Sequence, residues 1–226
     1  MPTPTPVFDD VLAAAARIAP HAVRTPVLHS AELDRWAGAT LLFKAEHLQH
    51  VGAFKFRGAC NAVMALDAAS AARGVVTHSS GNHGAALAMA ARVRGIPAHV
   101  VVPEGAVASK LANIEAQGAT IHRCAPTLAA REATTARLQA ETGATLVHPY
   151  ADARVIAEDL QRDCDHAGSV RQLACRGERI GVVRQRAEVG GEEVGPLGLD
   201  GAEAELAAHG LQQGEIAAAT MAGSVI

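Results

Sequence analysis

Between residues 74 and 148 the chain alternates between short β-rich runs and longer helical ones: "VVTHSS", "HGAALAMAARVRG", "AHVVVP", "AVASKLANIEAQG", "ATIHR", "TLAAREATTARLQAETG" and "TLVHP". Such alternation with short loops demands crossover connections, which lay successive strands parallel in one sheet with helices on its faces. The helical runs carry apolar residues at helical spacing, as with Val107, Leu111 and Ile114, and stop near Gly95, Gly118 and Gly143. Upstream, "FDDVLAAAARIAPHA" predicts a helix, "TLLFKAE" a strand and "AFKFRGACNAVMALD" a helix. The same α/β class, parallel sheets covered by helices, therefore extends back to the start.

The pattern stops at about residue 157. Beyond it the chain has no aromatic residue, and its net charge turns from +3 over residues 1–157 to −6 over residues 158–226. Neither period persists there, although "GAEAELAAHG" suits a short helix, so a divergent, poorly packed tail is expected. Three regions follow: residues 1–73, residues 74–151 and residues 152–226.

A content of 49% apolar residues supplies a core, while a net charge of −3 gives no basic field for nucleic acid. With few aromatics for base stacking, a small molecule is the expected partner. Cys60, Cys124, Cys164 and Cys175 form no CxxC or Cys/His cluster, which suits a reducing cytoplasm and gives no metal site. "MPTPTPVFDD" lacks the basic and apolar regions of a leader, and no window approaches the ~18 apolar residues of a membrane helix. No membrane partner and a cytoplasmic location are the expectation.

Two stretches carry chemistry. In "HVGAFKFRGACNAV" Lys55 stands between Phe54 and Phe56, beside Arg57 and at the start of a helix. Apolar flanks, a neighbouring cation and a helix N-terminus all disfavour an ammonium, the setting of a Schiff-base lysine. A lysine that lays its stem along the two rings on the surface is the plainer alternative. In "THSSGNHGAALAMAA" a strand ends at Thr77, two serines follow, Gly81 permits a sharp turn and a helix begins near Asn82 or His83. That geometry aims backbone N–H groups at an anion, with the hydroxyls and the Asn82 amide as further donors. Ser80 or Asn82 acting only as an N-cap is the alternative. Neither GxGxxG nor a P-loop is present. His21, His29, His47, His50, His99, His122 and His148 show no ligand spacing and read as surface or satisfied core residues.

Together "FKFRGACNAV" and "SSGNHGAALA" resemble the serine/threonine dehydratase and serine racemase family, pyridoxal phosphate enzymes of fold type II related to the tryptophan synthase β chain. The likeness runs from about residue 5 to residue 157 and includes "RTPVLHS", "LLFKAEHLQ", "GIPAHVVVPEGAVASKLANIEAQGA" and "LVHPYADARVIA". It implies that Lys55 forms the Schiff base with pyridoxal 5'-phosphate, that Phe54 lines the cofactor and that Asn82 bonds its phenolic oxygen. Ser79, Ser80, Asn82 and His83 would hold the substrate carboxylate. The implied reaction is loss of ammonia from, or racemisation of, a small β-hydroxy amino acid. Lys55 and Ser80 would act on opposite faces of the substrate. Ser80 leans toward serine racemase and hydroxyaspartate dehydratase and Ala53 toward threonine dehydratase, so serine, threonine and 3-hydroxyaspartate stay open. A homodimer is implied as well.

The resemblance also implies a glycine-rich phosphate loop and a divalent-metal site after "DARVIA", and neither is found in this sequence. Weak cofactor binding, an incomplete large domain and a truncated or frameshifted continuation are the resulting expectations. The rival expectation is an inactive fragment that binds small carboxylates or pairs with an intact subunit.

Overall fold

The computed structural model describes residues 5–157 and 180–183. In chain order its elements are α1 (Phe8–Ile18), β1 (Val27–His29), α2 (Ala31–Ala37), β2 (Thr40–Lys44), α3 (Lys55–Met64), α4 (Ala68–Ala72) and β3 (Val75–His78). There follow α5 (Asn82–Arg94), β4 (Ala98–Pro103), α6 (Ala108–Ala116), β5 (Thr120–Cys124), α7 (Leu128–Thr142), β6 (Thr145–Leu146) and β7 (Ile180–Val183). These form two compact units, one of residues 5–23 with 49–157 and one of residues 24–48 with 180–183.

The first unit is built on a four-stranded sheet of order β5-β4-β3-β6, parallel throughout. All four residues of β3 are buried, the mark of a central parallel strand covered on both faces. Alternation along β4 sorts the two cores. Val100 and Val102 pack with Ala85 of α5 and with Leu111 and Ile114 of α6, while Val101 packs with Cys124, Ala144 and Leu138 of α7.

Helix α5 is alanine-rich and buried nearly all round, as a central helix must be. Its Ala86, Leu87 and Ala90 join Phe56, Ala59, Ala62 and Val63 of α3 in the largest cluster. Small side chains allow that close approach. At Gly84 a Cβ would lie 2.6 Å from the Ser79 carbonyl oxygen, so only glycine lets the first turn of α5 settle on the end of β3.

The chain runs from β3 to β4 to β5 on one side, then returns to place β6 on the other side of β3. Strand order therefore reverses between β3 and β6, and in parallel α/β sheets ligands bind at such a switch point, beyond the C-terminal ends of the strands.

In the second unit β1 pairs antiparallel with β2, and β2 pairs parallel with β7. Ser30 caps α2 by accepting from the Leu33 N–H, and the Thr25 hydroxyl donates to the buried Glu46 carboxylate at 2.6 Å.

Most expected elements are present, with four differences. The antiparallel β1 was outside the expected parallel pattern. Val107 occupies the N-cap of α6 and is 56% exposed, so it does not belong to the apolar stripe with Leu111 and Ile114. "TLVHP" adds two residues to the sheet, because His148 Nδ1 accepts from the Tyr150 and Ala151 N–H groups and turns the chain there. No sheet was expected beyond residue 157, yet Ile180–Val183 is a strand; "IGVV" is a short run dominated by β-branched residues, which favour strands. The short helix expected at "GAEAELAAHG", and every residue of 158–226 apart from 180–183, lie outside the described residues.

Candidate functional site

Lys55 is the first residue of α3, and its Nζ donates to the carbonyl of Pro149 at 3.2 Å. The amine lies 4.7 Å from the centroid of the Phe54 ring, within cation–π range. Phe56 has a different role: it is fully buried, with its ring edge-on to His50 at 4.7 Å. Arg57 is buried too, its guanidinium donating to the Val23 carbonyl. The segment leading in contains Val51 at φ +56°, a left-handed conformation that costs a β-branched residue about 1–3 kcal/mol. Strain is thus held a few residues before the amine.

Facing the same stretch is the loop between β3 and α5. Ser79 donates its N–H to Val101 and its Oγ accepts from the Gly81 N–H at 3.3 Å. The N-cap of α5 is Gly81 and no side chain caps the helix, so Ser80 and Asn82 are not N-caps. The first-turn amides of this 13-residue helix have no intrahelical partner, and the half-buried Ser79 and Ser80 and the exposed Asn82 surround them.

His83 stands apart from its neighbours. Its ring is 4% exposed and Nε2 lies 3.2 Å from the Val147 carbonyl, while Nδ1 is buried with no hydrogen-bond partner. Burial, with smaller contributions from the Lys55 and His148 charges, pushes its pKa down to about 4 against the opposing pull of the Val147 hydrogen bond. The ring is therefore neutral at pH 7. With Nε2–H donating to Val147, Nδ1 is left as an acceptor.

The segment after β6 ties the two motifs together. His83 holds the Val147 carbonyl and Lys55 holds the Pro149 carbonyl, so one strand end anchors both. Next to it His78, the last residue of β3, packs edge-on to His148 at 5.2 Å, and His148 packs edge-on to Tyr150 at 4.5 Å. Burial, then the charges of His148 and Arg131, hold His78 below the ordinary histidine range. Sequence reasoning missed His78, Pro149 and Tyr150 as neighbours of the site. The available signal was their position immediately after, or at the end of, adjacent parallel strands.

Pyridoxal phosphate has an aldehyde end and a phosphate end, and the donor set meets the two differently. A primary amine over an aromatic ring and uncapped helix amides with hydroxyls around them fit the aldehyde end of the cofactor and an amino-acid carboxylate. For the phosphate end, no two glycines are adjacent within residues 5–157.

The profile of one family, described as pyridoxal-phosphate dependent enzyme, matches residues 18–161. The chain belongs to this family. Beta-hydroxyaspartate dehydratase of Paracoccus denitrificans is 52% identical over 152 residues, covering 67% of this chain and 48% of that protein. Serine racemase of Arabidopsis thaliana is 52% identical over 141 residues, covering 62% and 43%. The solved structure of maize serine racemase superposes with a TM-score of 0.71 at 44% identity, over 74% of this chain and 50% of that one. The fold expected from the resemblance, parallel sheets covered by helices as in fold type II, is the one present. The chain spans about half the length of the curated relatives it matches. Among the described residues no helix is long and apolar enough to cross a membrane, and no three His, Cys, Asp or Glu side chains gather as a metal site.

Proposed function

We propose that the chain carries the substrate side of a pyridoxal phosphate-dependent ammonia-lyase or racemase acting on small β-hydroxy amino acids. The observation that supports this best is the anchoring of Lys55 and of His83, from two separate motifs, on carbonyls of the single segment 147–149 at the β3/β6 switch point. When bound, the cofactor supplies an electron sink for negative charge developing at the substrate Cα. Lys55 would hold the cofactor through Nζ, and the same nitrogen would take the α-proton of the substrate. Phe54 would line the cofactor, and Asn82 would donate to its phenolic oxygen.

Ser79, Ser80, Asn82 and the first-turn amides of α5 hold the substrate carboxylate, with the Ser80 hydroxyl on the face away from Lys55. His83 contributes to that carboxylate site through its backbone N–H, since its ring is committed to Val147. Residues 1–73 are the beginning of the cofactor domain and residues 74–151 the substrate domain. The net transformation is loss of ammonia to give a keto acid, the β-hydroxyl leaving as water and one water being taken up as the amine is released, or inversion at Cα. Serine, threonine and 3-hydroxyaspartate are the candidate substrates, in the cytoplasm, with the chain as a homodimer that sedimentation would detect.

The second reading is a non-catalytic chain that binds small carboxylates or pairs with an intact subunit. It is favoured by the longest glycine run in the sequence being only Gly190-Gly191, too short to surround a phosphate with amides.

Titration of the purified chain with pyridoxal phosphate separates the two. The first reading expects a visible absorption band, complete loss of that band in Lys55→Ala, and formation of pyruvate or 2-oxobutyrate from serine or threonine. A band with neither keto acid nor inversion of serine at Cα supports the second reading, and the absence of any band defeats the first.

A further inference from the structure

His99 and His122 lie 23 residues apart in sequence, and the β4–β5 pairing brings their rings together: His99 Nδ1 is 3.1 Å from His122 Nε2, with centroids 5.2 Å apart and planes at 51°. The register sets His99 opposite Thr120 and Val101 opposite His122, so the two imidazoles are diagonal neighbours on one face. Parity identifies the face. His99 alternates in step with Val101, and His122 with Cys124, and those two residues pack with Leu138 of α7. Both histidines are half-buried and open in part to solvent.

Two nitrogens bound to one tetrahedral or octahedral ion at ~2.0–2.1 Å stand about 2.9–3.3 Å apart. The observed spacing falls inside that bite. The rings project from neighbouring strands of a parallel ladder whose backbone hydrogen bonds fix the two Cα positions, so only rotation about the side-chain bonds is needed to turn both nitrogens from each other toward one ion. The charges of Arg137 and Glu141 on α7 both act on His122. Glu141 also binds Arg137 through two hydrogen bonds, at 2.8 and 2.9 Å, which offsets the repulsion the guanidinium would exert on a cation.

We propose that His99 and His122 form a two-imidazole chelate for a zinc-class divalent cation, with water in the remaining positions. Imidazole selects zinc, nickel and copper over magnesium and calcium, whose preferred ligands are oxygens. The bound ion ties β5, the edge strand of the sheet, to β4. The site uses none of the residues assigned above to the cofactor or substrate and stands independently of that assignment.

Thermal unfolding of the full chain, free of cofactor, tests it. Zinc or nickel at about 1 mM should raise the midpoint by several degrees, through binding to the folded state, while magnesium at the same concentration should not. His99→Gln and His122→Gln should each abolish the shift. Equilibrium dialysis against nickel should show one equivalent fewer bound per chain in each variant, a readout that survives any change in the variants' own stability. No shift with either metal, a shift of equal size with magnesium, or one retained in either variant would overturn the proposal and leave the pair a plain imidazole–imidazole hydrogen bond.

Discussion

Strands β4 and β2 are written in similar apolar language, "AHVVVP" and "TLLFK", yet Val100, Val101 and Val102 are 0% exposed while every residue of β2 is only half-buried. The helices repeat the contrast. Leu87 on α5 is 0% exposed, whereas α2 has no buried residue and its Trp36 is 82% exposed. The difference lies in the number of layers. β4 has α5 and α6 on one face and α7 on the other, so either parity of its side chains meets a core. Apolar sequence permits burial, but only cover on a given face produces it.

That contrast can be broken or sharpened by stability measurements. The largest effect is expected at Leu87→Ala, which removes a fully buried side chain beside α3 and should cost about 3 kcal/mol in denaturant unfolding. A loss under about 1 kcal/mol would mean that the α3–α5 layer repacks freely.

The next effect is in the pH dependence. His83 has a folded pKa of about 4 and an ordinary unfolded value of 6.5, so the unfolded chain binds its proton first as pH falls. The stability linked to this ring is complete above about 6.5 and is lost as pH falls toward 4, in total on the order of 3 kcal/mol. His83→Gln should flatten that part of the slope whatever it does to stability at neutral pH; an unchanged slope would assign the acid sensitivity to other groups.

The smallest effect is expected at Trp36→Ala, within about 0.5 kcal/mol. A loss as large as that at Leu87 would erase the distinction between the two units.

The chemistry-bearing stretches were legible in the sequence because they are local. An amine at a helix start and a serine-rich turn into a helix are consecutive residues, and their backbone geometry follows from their own order. Even there the sequence left the cap unresolved. Ser80 and Asn82 were equal candidates, and packing chose Gly81, since Gly84 must press against the Ser79 carbonyl and thereby sets where the helix begins. His83 belongs to that same local stretch, but the direction of its ring, toward the Val147 carbonyl, comes from the tertiary structure.

What the sequence determined by itself was the α/β class, the position of Lys55 at a helix N-terminus, and the uncovered amides after Ser79. Each depends on hydrophobic period, turn chemistry or neighbours a few residues away. Tertiary structure alone decided that Pro149 receives the Lys55 amine, that His78 meets His148, and that His99 meets His122. Those pairs join residues brought close by sheet order and register, and strand order in a parallel sheet is set by which faces find cover, a property of the assembled layers.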